Sequence, residues 1–483
     1  MWLAGERIGG QIVDQVFTII LARLLLPGDF GLLAMAAIFT ALLRVFSTIG
    51  LGAAIIQRAK IDDEYLDTAF WANLGLGVAL FAITAVSGEI FGRFMGDPAV
   101  GVILLILSTR FMITAGSEAQ RSLVSRQMDY RSLSLRSVKS RLIGGFVGVG
   151  MAYAGMGYWS LVGQTMATTL SGSYLLYVAT GWRPKWRFSW RKFRDQWSFG
   201  APLLLSRMFG YAIRNTDNLL VGRYLGSTAL GFYALGYTLF LVPLQDVGLI
   251  VNRVMFSALS RVQEDRERLR RGFLQGTQYV TLGVLPVMVG MALVAAPALE
   301  LVFGRKWLPA APVVSVLALA GFLQLMTTLG PSGLNAAGRT DLNLRWTMIS
   351  SLLYLPAFAV GLRWGIVGVA TGYLGATIVM VPVQFRYISS ILHVRAAEMW
   401  AAVRPGVIGS VLMAAAVAPA AWALRTSHAP AVVELAVAVP LGVAVYGAVI
   451  WLIHRRVIFD LMTLLRQSVR VGRGRRLGEA GEG

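Results

Sequence analysis

The sequence predicts an all-α polytopic membrane protein. It has about fourteen transmembrane helices, in two six-helix lobes related by a pseudo-twofold along the membrane normal, plus two C-terminal helices. Three observations predict this. The 483 residues are 56% hydrophobic and only 14% charged, with a mean hydropathy of +0.65, outside the range of an ordinary soluble domain. Apolar runs of about 20 residues follow one another with short breaks. A set of short motifs recurs in order about 200 residues apart.

The first run, about 8–26, ends in Arg23 to Pro27 rather than in a small-residue cleavage site, so it reads as a span and not a signal peptide. Further spans follow near 30–50, 68–90, 99–120, 134–154, 158–180, 198–221, 229–252, 273–297, 311–332, 343–362, 366–388, 405–424 and 431–453. Pro27-Gly28, Gly96-Asp97-Pro98, Gly155-Met156-Gly157 and Gly330-Pro331 mark turns. Small-residue spacing at Gly144 to Gly148 and at Gly361 to Gly375 predicts close helix packing. Arg261 to Arg271 reads as a solvated helix with Glu264/Arg268 and Glu267/Arg271 pairs.

The lobes occupy 1–181 and 196–391, with a basic linker at 182–195, two added helices in 392–453 and a basic Gly-rich tail at 454–483. Ala22-Arg23-Leu24-Leu25 through Phe30-Gly31-Leu32 recurs as Gly222-Arg223-Tyr224-Leu225 through Leu230-Gly231-Phe232. Phe91-Gly92-Arg93 recurs as Phe303-Gly304-Arg305, and Leu135-Arg136 as Leu344-Arg345. An even number of spans per repeat makes both insert the same way.

The formal charge of +20 is a topology signal. One side receives Arg58, Lys60, the clusters 121–141, 183–194 and 253–271, then Arg339, Arg345, Arg386, Arg395 and Arg404, and the tail from Arg455 to Arg476, about 32 of the 44 basic residues. The other receives Arg23, Arg93, Arg223, Arg305, Lys306, Arg363 and Arg425. The rich side is expected to be cytoplasmic, with both termini there, and the charge to meet anionic lipid rather than nucleic acid. Trp182, Trp186, Trp190 and Trp197 fit an interfacial anchor. Without cysteine, thiol catalysis, disulfides and Cys-based metal sites are excluded. Walker, metal and nucleophile motifs are absent, and His393, His428 and His454 sit at loops or ends. Any transport is thus not driven by ATP on this chain.

Charges within spans are costly, about 2.5–3.5 kcal/mol each at mid-membrane. The first span carries Arg7, Gln11, Asp14 and Thr18 on one face, and the seventh Arg207, Tyr211, Arg214 and Asn218 at the same spacing. Arg44, Arg110, Asp217 and Asp246 complete the set. The candidate cavity residues are therefore Arg7, Asp14, Arg44, Arg110, Arg207, Arg214, Asp217, Asn218 and Asp246. Arg7 can alternatively snorkel, Asp217 can pair locally with Arg214, and Asp246 can pack beside Arg253. Asp14 and Arg214 are repeat equivalents, and a switching ion pair between them is an expectation. Five arginines against three aspartates suit an anionic, phosphorylated substrate. Asp14, Asp217 and Asp246 are the carboxylates open to a coupling proton or cation.

Ile213 through Arg223 (IRNTDNLLVGR) resembles a signature of bacterial polysaccharide exporters. So do Ala22-Arg23-Leu24-Leu25 with Asp29-Phe30-Gly31-Leu32, Asp67-Thr68-Ala69-Phe70-Trp71, and Leu259-Ser260-Arg261. The chain resembles, over about residues 2–390, the Wzx-type flippases of the multidrug/oligosaccharidyl-lipid/polysaccharide superfamily, nearest the colanic acid and teichuronic acid exporters. The resemblance implies two six-helix lobes, alternating access and a polyprenyl-pyrophosphate-linked glycan carried to the outer leaflet of the bacterial inner membrane. It implies membrane lipids, polysaccharide polymerase and glycosyltransferases as partners, and no cofactor beyond a coupling proton or sodium ion. Arg214, Asp217 and Asn218 match the signature directly; Arg7, Arg44, Arg110 and Arg207 rest on the charge reading. The chain starts almost at the first span, which points to a trimmed or misassigned start. The competing readings are a drug/cation antiporter or a peptidoglycan-precursor flippase of the same superfamily, a membrane polymerase or ligase, and a non-transporting scaffold. The positive cavity opposes the antiporter, and the short outward loops oppose an enzyme.

Overall fold

A computed structural model describes residues 2–47, 55, 61–127, 130–194, 215–260, 266–336 and 340–452. The helices are α1 (Trp2–Leu24), α2 (Pro27–Ser47), α3 (Asp63–Met95), α4 (Pro98–Ala115), α5 (Glu118–Arg126), α6 (Tyr130–Tyr153), α7 (Trp159–Thr180), α8 (Thr216–Ser260), α9 (Arg266–Phe303), α10 (Ala311–Ala336), α11 (Thr340–Gly361), α12 (Gly365–Leu392), α13 (Ala396–Thr426) and α14 (Ala431–Leu452). α8 is broken at Gly226, whose φ of 87° favours glycine, so its first residues are the end of the seventh predicted span and the remainder carries the eighth, while residues 198–214 of the seventh lie outside the described residues. The nine residues of α5 are too short to cross. The protein is a multi-pass membrane protein of all-α class.

Eight described segments are long and apolar enough to cross a bilayer on length and composition alone. α1 and α6 are not among them, because they carry intramembrane charges. Large apolar side chains such as Val86 and Leu352 point outward, as lipid-facing positions must.

Local signals set the turns. Gly96 ends α3 in the left-handed region, Asp97 caps α4 by accepting from Ala99 N at 3.0 Å, and Pro98 opens α4. Small residues let backbones approach: a Cβ on Gly77 would lie 2.6 Å from Phe111 O, and one on Gly144 2.6 Å from Gln164 O. The Gly361–Gly375 stretch does the same, with Gly361 against Gly368 and Gly372 against Ala357.

The chain forms two compact units. One comprises Met1–Gly236, Val302–Val313 and Ser351–Gly372; the other comprises Tyr237–Leu301, Val314–Ser350 and Tyr373–Gly483. In the second, Met413, Val417 and Ala438 pack with Leu293 and Tyr446, and Arg425 joins Glu434 at 2.7 Å.

The first unit contains parts of both repeats, and their contact is reciprocal. A Cβ on Gly31 would lie 1.7 Å from Ser227 O, and one on Gly231 would lie 1.9 Å from Pro27 O. Residues 27 and 31 therefore meet 231 and 227, their own repeat equivalents exchanged. This self-complementary pattern is the signature of a local twofold. Around it, the last carbonyls of α1, which lack intrahelical partners, are met by the second repeat. Trp307 Nε1 donates to Ala22 O at 2.8 Å, and Lys306 Nζ donates to Arg23 O and Leu25 O at 2.8 and 2.6 Å. Trp307 is fully buried against Phe30 and Phe232.

Candidate translocation site

The first unit holds a polar cleft of about 230 Å³ lined by Thr40 and Arg44 of α2, Leu107, Arg110, Phe111, Thr114 and Ala115 of α4, and Glu118 and Arg121 of α5. Its floor is apolar, with Leu43, Leu80 and Phe111 packed together under Phe39 and Leu76. Arg110 is oriented by α7, its Nε donating to Thr169 Oγ1 at 3.0 Å. Glu118 and Arg121, which also line the cleft, lie 3.8 Å apart. Three guanidinium groups and one carboxylate line the cleft, a positive set with planar donors suited to a phosphate-bearing anion.

Of the sequence-predicted residues, Arg44 and Arg110 are brought together here. Asp14 lies elsewhere in the same unit and is ion-paired with Arg141 of α6. That guanidinium lies over Gly10, where a Cβ would come within 3.1 Å of it. Arg136, Lys139 and Arg141 of the basic cluster 121–141 lie within α6. Asp14 thus has a partner from its own repeat; its proposed partner Arg214 lies outside the described residues.

Asp217 is buried in the same unit, accepting from Tyr233 OH at 3.0 Å and from Asn218 N at 2.8 Å. Asn218 is half-buried beside it. Arg207 lies outside the described residues. Arg7 and Asp246 are on helices, and their side chains lie outside the description. In α9, Arg270 rather than Arg271 carries the tight contact to Glu267, at 2.8 Å, and Glu264 of the other expected pair lies outside the described residues.

Glu118, Arg121 and Arg141 carry no motif, and reading the 121–141 run as a topology signal leaves Arg121 and Arg141 out of the candidate set. Two signals point to Arg141. Asp14 needs a counter-charge, and a glycine stands one turn before it.

A twofold-related, multi-pass helical fold with paired and clustered charges inside its first lobe defines the transporter class of membrane protein. Residues 20–312 match the model of the family described as "Polysaccharide biosynthesis protein", and the chain belongs to that family. It is 30% identical to the teichuronic acid biosynthesis protein TuaB of Bacillus subtilis (strain 168), over 66% of this chain and 67% of that one. It is 28% identical to the lipopolysaccharide biosynthesis protein WzxC of Escherichia coli (strain K12), over 74% and 73%. It is also 28% identical to the succinoglycan biosynthesis transport protein ExoT of Rhizobium meliloti (strain 1021), over 74% and 73%. The fold is that of the lipid II flippase MurJ in an inward closed conformation, with a TM-score of 0.75 at 14% identity, covering 94% of this chain and 99% of that one. An inward-facing multidrug resistance MATE family transporter of the MOP superfamily is similar at a TM-score of 0.61 and 16% identity, over 80% and 96%.

Proposed function

We propose that the protein flips a polyprenyl-diphosphate-linked oligosaccharide from the cytoplasmic to the outer leaflet of the bacterial inner membrane, by alternating access, for cell-surface polysaccharide export. The observation that carries this reading is the cleft lined by Arg44, Arg110 and Arg121. Three guanidinium groups less one carboxylate suit a diphosphate diester, which carries about one negative charge per phosphate. The named roles of TuaB, WzxC and ExoT in polysaccharide biosynthesis or transport support the same substrate class.

In this reading the arginine-rich side is cytoplasmic and both termini lie there. Lipid-linked glycan is delivered by glycosyltransferases and handed to a polymerase after flipping. The protein moves its substrate without a catalytic step. A proton or sodium ion couples the cycle, with Asp14, Asp217 and Asp246 as the available carboxylates. A drug or cation antiporter would need the opposite balance of charge in the cleft.

Deletion of the gene tests this reading. It should abolish the surface polysaccharide and leave the lipid-linked oligosaccharide facing the cytoplasm, with drug susceptibility unchanged. Normal polysaccharide with lost drug resistance would replace it by the antiporter reading.

A further inference from the structure

The Asp67-Thr68-Ala69-Phe70-Trp71 motif does not line the cleft. Asp67, Thr68 and Trp71 share one face of the first turns of α3, and the first two are almost fully buried. What covers them is the segment after α7. Lys185 N donates to Asp67 Oδ1 at 3.0 Å, Ser189 N donates to Thr68 Oγ1 at 3.1 Å, and Trp71 Nε1 donates to Lys185 O at 2.9 Å. Trp71 stacks on Trp186 with ring centroids 4.1 Å apart. Lys192 Nζ joins Asp62 and Glu64 at 2.5 and 2.7 Å. The strap, irregular to Ser189 and helical over 190–194, is thereby fixed to one helix end by three hydrogen bonds, a ring stack and an ion-pair cluster.

The strap's outer face combines two chemistries. Trp186 is 88% exposed and Trp190 70% exposed, and Phe188 is exposed beside them. Lys185, Arg187, Arg191 and Arg194 are exposed too, and the run 182–194 contains no acidic residue. Aromatic rings left in water lose the benefit of burial, whereas at a bilayer interface their apolar bodies are covered and their polar edges stay wet. Guanidinium and ammonium groups beside them match headgroup phosphate. The strap follows directly from the end of α7 and lies on the start of α3, so it sits at the ends of two predicted spans.

We propose that residues 183–194 form a binding surface for anionic phospholipid headgroups, held in shape by a socket made of Asp67, Thr68 and Trp71. The socket explains why a buried acid, a buried hydroxyl and an indole stand together at one helix end. It makes the surface preformed, so lipid binding does not have to order the loop.

The test uses the purified full-length chain in detergent, titrated with phosphatidylglycerol or phosphatidylcholine and read by native mass spectrometry. The wild type should retain phosphatidylglycerol preferentially. Each surface cation contributes about fivefold, so Arg187→Gln/Arg191→Gln/Arg194→Gln should lower that preference by on the order of a hundredfold. These side chains are exposed, and an unchanged melting temperature verifies the fold. Asp67→Ala/Thr68→Val leaves every strap cation in place and should also weaken phosphatidylglycerol retention, because the strap is released. Equal retention of the two lipids by the wild type would overturn the proposal and leave an acidic protein as the partner of this surface. A triple variant that keeps the full preference would overturn it as well.

Discussion

At the residue scale, Arg110 is the best-defined cation of the cleft, because Thr169 holds its Nε edge from a neighbouring helix. A planar fork held this way suits two phosphate oxygens, whereas an ammonium acts as a point charge. Arg110→Ala should reduce flipping at least tenfold, and Arg110→Lys should restore little of it, measured as initial rates in proteoliposomes. Glu118 stands where an entering anion would meet a like charge. Glu118→Gln should tighten binding of a diphosphate diester, measured by calorimetry. The Asp14–Arg141 pair belongs to this scale too. Its side chains are 54% and 34% exposed, so its loss should fall between the roughly 1 kcal/mol of a surface pair and the 3–5 kcal/mol of a broken buried one. Asp14→Ala and Arg141→Ala should each lower the melting temperature, and the double variant should lose less than their sum. Asp14, Arg44 and Arg110 are legible in the sequence because a charge in an apolar run stands out. Arg141 is not, since it ends a basic run that reads as a topology signal, and its pairing with Asp14 depends on α1 packing against α6. Asp217 is legible as a charge but not as a buried partner of Tyr233, because that contact depends on the fold around the Gly226 break.

At the element scale, two structures depend on close fit. The Gly31–Gly231 crossing leaves no room for a methyl group, since either Cβ would run into backbone. Gly31→Ala or Gly231→Ala should cost about 1–3 kcal/mol or force the crossing apart, read as a lower melting temperature or as new reactivity of a single cysteine at Thr228. The absence of native cysteine makes that label unambiguous. The repeat of short motifs shows in the sequence that two equivalent turns exist; it does not show that they touch, which follows only once both α2 and α8 are in place.

The strap gives a pH prediction. The Lys192 hydrogen bond holds the Asp62 carboxyl below its ordinary value of 3.8, so this contact contributes fully above that pH and is lost as pH falls through the lower folded value. The same bonds, to Asp62 and Glu64, raise Lys192 above 10.5, so its contribution is full below that pH and is lost as pH rises through the higher folded value. A spin label at Phe188→Cys should therefore be equally immobile throughout the range 3.8 to 10.5 and become mobile only beyond it.

At the scale of the whole molecule, composition, hydropathy and duplication carried the fold. Among the described residues, α1 to α4, α6 and α7 match the first six predicted spans, α8 the end of the seventh and the eighth, and α9 to α14 the rest. What the pattern could not convey is that α5 is a short helix whose acid and base line the cleft, because a nine-residue segment after a span resembles an ordinary loop. Nor could it convey that parts of the second repeat, 215–236, 302–313 and 351–372, belong to the same compact unit as the first. Membership of that unit depends on pairings such as Trp307 with Ala22, which are remote in sequence. The central claim is that a basic cleft in the first lobe recognises the diphosphate of a lipid-linked glycan. The most direct measurement is leaflet exposure of a fluorescent polyprenyl-diphosphate oligosaccharide in proteoliposomes, comparing wild type with Arg44→Ala/Arg110→Ala. The account predicts rapid transfer by the wild type and on the order of a hundredfold less by the double variant, at about tenfold per lost charge-assisted contact. Equal rates for the two proteins would contradict it.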